Sequence, residues 1–124
     1  MKTLEEVRED FSKDRFATDN GAVIDKIAKD YAMCSLDIKE CHKNALGAVM
    51  GGVYFTLADF TFAVASNWEK PGTVSLDSTI SYLSPAKGSK LIAQAHCKRN
   101  GRTTCNYTID VTDDLGNLVA TVTI

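Results

Sequence analysis

The feature that most constrains this sequence is one long apolar segment near its middle. Residues 48–65 form the most apolar stretch of the chain, interrupted by two glycines and by Asp59. A membrane-spanning helix needs roughly 20 predominantly apolar residues, so we expect this segment to be a buried helix and not a membrane span. Apolar side chains cover nearly every helical face, which is typical of burial. We therefore predict a helix over residues 51–67 at the centre of the fold.

Alternation of apolar and polar residues predicts strands on both sides of this helix. Before it, residues 22–38 divide into two strands at a turn over Lys29 and Asp30. After it, Asn100 and Gly101 form a two-residue hairpin signal. We predict about six strands, the last four in antiparallel meander order, and a short amphipathic helix over residues 4–13. The last four strands are expected over residues 74–82, 91–98, 105–111 and 118–124.

The length of the chain limits the number of cores. A chain of 124 residues has the usual size of one domain, so we expect a single domain over residues 1–124. Hydrophobic residues make up 44% and charged residues 24%, close to the averages for soluble globular proteins. One small sheet would leave an apolar helix only partly covered, and a second copy of the chain would complete its burial. We therefore predict a homo-oligomer.

Charge and cysteine content exclude several classes of partner. The net charge is −2 and the longest basic cluster is Lys98–Arg99, so we expect no nucleic-acid partner. The first six residues lack the apolar core of a secretion signal, which favours a cytoplasmic protein. The four cysteines include no C-x-x-C pair, and Cys41 is directly followed by His42. We therefore expect reduced cysteines and no metal site.

Asp59 is the residue of the central helix that packing explains least. A carboxylate is almost never fully buried unless it is paired. Otherwise burial costs several kcal/mol or raises the pKa of the group. A carboxylate in such surroundings is a natural general base or nucleophile. The alternative is that Asp59 lies on a narrow polar edge and is hydrogen-bonded to Thr56, to Thr61 or to a neighbouring chain.

The glycine pair Gly51–Gly52 opens the predicted helix. Glycines at a helix start leave backbone N–H groups uncovered at the positive end of the helix dipole, where they can stabilise an oxyanion. The alternative is a glycine pair needed only for tight packing or a turn. Gly51 and Asp59 are eight residues apart, roughly 12 Å along a helix that rises 1.5 Å per residue. If both act in one site, the carboxylate should come from the facing subunit.

Several motifs of the sequence resemble one family in the expected order. The run His42-x-Asn44-x-x-Gly47-x-x-Met50-Gly51-Gly52 is followed by Leu57-Ala58-Asp59, and residues 14–16 and 74–88 match as well. Together they resemble the hotdog-fold thioesterases related to the phenylacetic-acid-pathway (PaaI-like) thioesterase. The resemblance implies an α+β hotdog fold, in which an antiparallel sheet wraps around a long central helix. It also implies dimers that assemble further into tetramers.

The resemblance further implies roles for individual residues in acyl-CoA thioester hydrolysis at a dimer interface. Asn44 would position the catalytic acid or a water molecule, and Gly51 would donate its backbone N–H to the thioester carbonyl. Asp59 of the other subunit would be the general base or nucleophile, with Ser75 orienting a water. Gly52 would lie at the substrate. No metal or organic cofactor is implied, because CoA is part of the substrate.

The sequence departs from the family pattern at Met50, where a histidine is usual. Methionine cannot donate a hydrogen bond or take up a proton, and one lost hydrogen bond in an oxyanion site costs roughly 10²–10³ in rate. Met50 therefore indicates either a weaker enzyme or a non-catalytic protein that binds acyl-CoA. His42 lies elsewhere in the loop, and His96 is expected to face the surface. Tyr54 is the aromatic residue that we expect to touch substrate.

A third interpretation, a hotdog dehydratase, is disfavoured by the same helix. Such enzymes pair a histidine with the acid, and residues 51–67 contain Asp59 but no histidine. Hydrolysis of an acyl-CoA thioester is therefore the leading hypothesis. The identity of the acyl group does not follow from the sequence, because the residues that face the interface set the depth of the pocket.

Overall fold

The computed structural model describes all 124 residues, and its central element is the helix that the sequence predicts. Two short helices, α1 (Leu4–Phe11) and α2 (Arg15–Asp19), open the chain. The third helix, α3, spans Gly51–Asn67 and is preceded by a 3₁₀ turn at Glu40–His42. The predicted bounds of α3 are confirmed, whereas α1 ends two residues earlier than expected. None of the helices is long and apolar enough to cross a membrane.

Six antiparallel strands form one sheet in the order β1-β2-β4-β5-β6-β3. The strands are β1 (Val23–Ala28), β2 (Tyr31–Asp37), β3 (Thr79–Tyr82), β4 (Lys90–Asn100), β5 (Cys105–Asp113) and β6 (Leu118–Thr123). The predicted meander of the last four strands is wrong for β3, which pairs with β6 at the edge of the sheet. Both sides of β4 are already occupied, by β2 and by β5, so β3 pairs where an edge is free.

Two local predictions from the sequence are also wrong. The strand expected over residues 74–82 begins only at Thr79, and Val74 and Leu76 are 84% and 86% exposed. A strand needs a neighbour for its backbone groups, and within one chain β6 reaches only the last part of this segment. The hairpin at Asn100 has a four-residue loop over residues 101–104, in which the Gly101 N–H donates to the Thr104 carbonyl (2.9 Å).

The core lies between one face of the sheet and α3. Alternate residues of β2, β4 and β5 point to the helix and are buried, namely Ala32, Cys34, Leu36, Leu91, Ala93, Ala95, Tyr107, Ile109 and Val111. Trp68, at the end of α3, donates its indole N–H to the Ala28 carbonyl (2.8 Å) and so fixes the helix to the first hairpin. An antiparallel sheet wrapped around one long helix confirms the expected α+β hotdog fold.

One stripe of α3 remains uncovered by the sheet. Asp59 is exposed, and Thr56 and Ala63 on the same helical face are only partly buried. This agrees with the expectation that one small sheet leaves the helix only partly covered. One sheet of this size covers only part of the helix. We call the face formed by Thr56, Asp59 and Ala63 the open stripe.

The loop that follows β3 is held by a buried carboxylate. Asp113, at the end of β5, accepts hydrogen bonds from the Asn117 side chain (2.9 Å) and from the backbone N–H groups of Lys87 (2.9 Å), Leu115 (3.0 Å) and Asn117 (2.9 Å). These donors, the Asn117 amide first, hold the pKa of Asp113 well below its ordinary value. Asp113 thereby joins the turn between β5 and β6 to the loop between β3 and β4.

All four cysteines are free thiols. Cys34, Cys97 and Cys105 lie in strands, as expected, and Cys41 is exposed in the 3₁₀ turn. Burial raises the pKa of Cys34 to about 12, so this thiol stays protonated and serves as a small core side chain.

Candidate functional site

The start of α3 presents two unpaired backbone donors. Met50 precedes the helix in an extended conformation and donates its N–H to the His42 carbonyl (2.9 Å). Val53 donates its N–H to the Met50 carbonyl (2.9 Å), while the N–H groups of Gly51 and Gly52 have no acceptor in the chain. Both groups lie at the positive end of the helix dipole, so they can receive a carbonyl oxygen that becomes negative.

Two side chains lie close to the glycine pair. A Cβ atom on Gly51 would lie 2.9 Å from Tyr82 Cε1 and 3.2 Å from Tyr82 Oη. A Cβ atom on Gly52 would lie 2.7 Å from Met50 Cε. Both neighbouring side chains are more than half exposed and can move aside, so packing alone does not require glycine at either position. Sequence reasoning missed Tyr82, which lies at the end of the alternating segment and is 57% exposed.

Tyr54 is buried beneath Tyr82. The two ring centroids are 6.4 Å apart, and the side chain of Tyr54 is 5% exposed. The Tyr54 hydroxyl accepts a hydrogen bond from the Ala86 N–H (3.1 Å). In the single chain Tyr54 therefore anchors the loop after β3 to α3, and its contact with substrate stays a prediction.

Asn44 organises the loop that leads into α3. Its Oδ1 accepts from the N–H groups of Leu46 (3.0 Å) and Ala48 (3.2 Å), and its own N–H donates to the Ala48 carbonyl (2.8 Å). Gly47 has φ +83°, which closes the turn. Since two N–H donors identify Oδ1, the Nδ2 group of Asn44 is the part that can still bind a water or a carboxylate.

His42 has no free nitrogen for catalysis. The ring is 2% exposed, and its Nδ1 accepts the Lys39 N–H (2.9 Å). Its Nε2 lies 2.7 Å from the Asn20 carbonyl. Because Nδ1 is an acceptor, Nε2 carries the proton and donates it to this carbonyl. His42 therefore fixes the loop before α3 to the turn after α2 and does not replace the histidine that is absent at position 50. His96 is exposed, as expected.

Asp59 lies on the open stripe and is exposed, so of the two interpretations of its place in the helix the polar edge describes the single chain. No donor of the same chain binds Asp59, and Thr61 instead donates its hydroxyl to the Leu57 carbonyl (2.7 Å). The surrounding protein removes part of its water and raises the pKa of Asp59, and the negative charge of Asp14 raises it further. Of the partners proposed for Asp59, only a neighbouring chain remains.

Ser75 lines a large cleft beyond the second half of α3. The cleft has a volume of about 1030 Å³ and is bounded by α3, by the segment before β3 and by the loop over residues 101–104. Ser66, Ser75, Lys70, Arg99, Asn100 and Arg102 contribute to its wall, but Asp59 does not. The placement of Ser75 beside Asp59 therefore stays a prediction.

Five cations gather around this cleft and an adjoining hollow of about 450 Å³. They are Lys29, Lys70, Lys98, Arg99 and Arg102, and none forms an ion pair within the chain. The same walls carry three carboxylates, those of Asp30, Glu69 and Asp77. The cations are scattered in sequence and meet because the turn between β1 and β2 lies beside the hairpin of β4 and β5. The excess of positive charge suits a polyanionic group.

Comparisons with known proteins agree on one family. The sequence model of the thioesterase superfamily matches residues 46–120. Acyl-coenzyme A thioesterase 13 of Mus musculus is 34% identical over 97 residues, which are 75% of this chain and 69% of the mouse protein. The matched segments span 62% to 69% of the length of the curated relatives.

Solved structures with similar folds include two from bacteria. A mutant of the phenylacetic acid degradation protein PaaI from Thermus thermophilus is 29% identical, with a TM-score of 0.81 over 87% of this chain and 93% of that one. A hypothetical thioesterase from Streptococcus pneumoniae, solved with coenzyme A, is 28% identical. Its TM-score is 0.84, over 93% of this chain and 91% of that one.

Proposed function

The chain belongs to the thioesterase superfamily, and we propose that it hydrolyses the thioester bond of an acyl-CoA to a free acid and CoA. The observation that carries this proposal is the pair of unpaired N–H groups at Gly51 and Gly52. The mouse acyl-coenzyme A thioesterase and the bacterial relative solved with coenzyme A support the same substrate class.

The first step of the proposed mechanism is polarisation of the thioester carbonyl. The Gly51 N–H donates to the carbonyl oxygen, and the N–H of Gly52 points into the same region. As the carbonyl carbon is attacked, its oxygen becomes negative, and fixed donors at a helix start stabilise that charge without reorganising. Met50 contributes no donor side chain. In this proposal the backbone therefore supplies all of the oxyanion stabilisation.

Asp59 of a second copy supplies the base or nucleophile. Within one chain, Asp59 is eight residues from Gly51, roughly 12 Å along the helix axis, which is too far for one carbonyl group. The open stripe leaves Asp59 without a partner in its own chain, and two copies that cover each other's stripes would bring one carboxylate to the other's amides. This supports a homo-oligomer with the site at its interface, and dimers of dimers are the assembly that we propose.

The chemical step consumes one water molecule. Asp59 either takes a proton from that water as it attacks the carbonyl carbon, or attacks the carbon itself and is released by water. The carbon–sulfur bond breaks, and the proton passes to the leaving CoA thiolate. Asn44 holds the carboxylate or the water through its free Nδ2, and Ser75 orients the water from the other side of the interface. No metal ion or organic cofactor is part of this mechanism.

The nucleotide end of CoA would occupy the cationic cleft. CoA carries a diphosphate and a ribose phosphate, and these anions match the five cations that have no ion pair within the chain. Arginine is well suited to this task, because its planar group binds phosphate oxygens in pairs. Because the cleft borders the second half of α3, the pantetheine arm would extend from it toward Asp59 of the same chain and the Gly51 and Gly52 amides of the second copy.

Met50 favours a second candidate function. A side chain without a donor at the position before the glycine pair would suit a protein that binds acyl-CoA without much turnover. The Met50 methyl lies close to Gly52, whose N–H is unpaired. It would therefore lie near the thioester carbonyl of a bound substrate. The two candidates differ in one observable, which is whether bound acyl-CoA is cleaved.

The test measures release of free CoA with a thiol reagent from short, medium, long and aryl acyl-CoAs. We expect turnover by the wild type, its loss by at least about 10²-fold in Asp59→Asn, and retention in the control Asp37→Asn, which removes an exposed carboxylate at the end of β2. A faster Met50→His would measure what the methionine costs. Saturable binding without cleavage would favour the second candidate, and a well-folded protein that neither binds nor cleaves would refute both.

A further inference from the structure

Asp30 lies in the turn between β1 and β2 with φ +54°, and it is the one residue other than glycine with positive φ. Aspartate tolerates this left-handed conformation better than most residues, because its short side chain can hydrogen-bond locally. Here the carboxylate bonds across the molecule instead. Asn100 Nδ2 donates to Asp30 Oδ2 (3.2 Å) and lies 3.4 Å from Oδ1, and the Tyr107 hydroxyl donates to Oδ1 (3.5 Å).

Asn100 is the last residue of β4, and the loop that follows it forms a wall of the cationic cleft. Beyond His96, β4 has no partner in β2, so only its ladder with β5, which shifts register between Cys97 and Arg99, holds this end of β4. Asp30 thus connects the hairpin of β1 and β2 to the end of β4, which we call the Arg99–Asn100 corner. Both Asn100 and the neighbouring Arg99 line the cleft.

Tyr107 strengthens the same connection from below. Its side chain is 1% exposed and belongs to the core. Burial raises the pKa of Tyr107, and the neighbouring Cys97 thiol and Asp30 carboxylate raise it further, so the phenol keeps its proton and remains a donor. The Asp30 carboxylate therefore has one partner fixed in the core and one at the mouth of the cleft.

We infer that Asp30 is a positioning residue that holds the Arg99–Asn100 corner in place for the phosphate groups at the nucleotide end of CoA. This inference rests on the proposed function. It implies that Asp30 sets the affinity for the nucleotide part of the substrate and leaves the rate of thioester cleavage unchanged. The carboxylate acts through Asn100 and does not itself touch the thioester.

A purely electrostatic role of Asp30 would have the opposite sign. A carboxylate near bound phosphates repels them, so removing its charge would strengthen binding. Two variants separate the two effects. Asp30→Gly removes the carboxylate and still permits φ +54°, whereas Asp30→Asn removes the charge but keeps an oxygen that can accept from Asn100. Positioning predicts weaker binding in Asp30→Gly only.

The experiment compares two thioesters of the same acyl group, the acyl-CoA and the S-acyl-N-acetylcysteamine, which lacks the nucleotide. For Asp30→Gly we expect KM for acyl-CoA to rise about three- to tenfold, the effect of one ordinary intramolecular hydrogen bond, since the carboxylate is solvent-accessible and acts on the phosphates only through Asn100. We expect an unchanged kcat and an unchanged KM for the short thioester. Asp30→Asn should have a KM for acyl-CoA at or below that of the wild type. Tyr107→Phe removes the hydroxyl that donates to Asp30 from the core, and it should give a smaller rise in KM for acyl-CoA. This variant replaces Asp30→Gly in the test if Asp30→Gly does not fold.

Equal effects of Asp30→Gly on both thioesters, or lower KM in both Asp30 variants, would overturn the inference. A wild type that cleaves neither thioester would refute the proposed function. The positioning role of Asp30 would then be tested by measuring the binding of free CoA. Calorimetric titration with free CoA then decides it. A Kd weakened about three- to tenfold in Asp30→Gly supports the positioning role, and an equal Kd overturns it.

Discussion

Replacement of Gly51 by alanine tests the start of α3 with a single methyl group. The new Cβ would lie 2.9 Å from Tyr82 Cε1 and 3.1 Å from Tyr82 Cζ. Carbon atoms in contact prefer about 3.5–4.0 Å, so the ring must retreat by roughly half an ångström or more. Tyr82 is on the edge strand β3 and more than half exposed, so its ring has room to move. Alanine also restricts the unfolded chain more than glycine does, which stabilises the folded state by roughly 0.4–1 kcal/mol. We therefore expect the stability of Gly51→Ala to stay within about 1 kcal/mol of the wild type.

Activity should respond much more strongly than stability. The methyl group and the displaced Tyr82 ring enter the space from which a carbonyl oxygen would approach the Gly51 N–H. Loss of one oxyanion donor costs roughly 10²–10³ in kcat. The measurement is kcat for the best acyl-CoA by CoA release, with the free energy of unfolding from urea denaturation as the control for folding. A Gly51→Ala protein that is stable and keeps the wild-type kcat would refute the role of this amide.

The double variant Gly51→Ala/Tyr82→Ala identifies the cause of the loss. It removes the ring that the methyl would displace and leaves the methyl beside the amide. If kcat recovers in the double variant, the displaced ring blocks the carbonyl. If kcat stays low in the double variant and Tyr82→Ala alone is active, the methyl itself blocks the Gly51 N–H.

Two further predictions concern carboxylates. Asp14→Asn removes a negative charge that raises the pKa of Asp59, so we expect that pKa to fall. The acid limb of the pH–rate profile should then move to lower pH. An unmoved limb would mean that Asp59 is not the titrating base. Asp113→Asn should lower Tm by several degrees at neutral pH, since an amide NH₂ would face N–H donors, whereas the exposed control Asp37→Asn should not. The pKa of Asp113 in the folded protein lies below its ordinary value of 3.8, so the Asp113 carboxylate stabilises the fold fully above that pH. The Tm difference between the wild type and Asp113→Asn should therefore shrink as the pH falls further. A difference that stays constant to pH 2 would contradict this.

The sequence predicted the elements of the fold better than their arrangement. The bounds of α3 followed from the glycine pair at its start and from the length of the apolar run. Alternation located β3 but did not assign it to β6, because period two reports which face is buried and not which strand is adjacent. The sequence leaves open whether Asp59 is buried or lies on a polar edge, for a related reason. Counting apolar residues around a helix does not indicate which stripe the sheet leaves open.

The cationic cleft could not be predicted from the sequence. Lys29 and Arg102 are more than 70 residues apart, and each is unremarkable in its own segment. Only the order of the strands, in which β2 lies beside β4, brings the first hairpin to the second. The sequence identifies Asp30 only as a turn residue, because its bond to Asn100 depends on the same topology. Residues that act through long-range contacts are the part of a site that local patterns do not reveal.

The features that make the single chain incomplete are the ones that the proposed reaction uses. The open stripe leaves Asp59 without a donor. Residues 74–78 alternate like a strand but have no neighbouring strand, and Val74 and Leu76 are almost fully exposed. Exposed apolar side chains and unpaired backbone groups favour contact with another surface. A second copy that covered these groups would also bring its Asp59 toward the amides of Gly51 and Gly52. On this argument the interface and the catalytic site form together, because the same segments supply both.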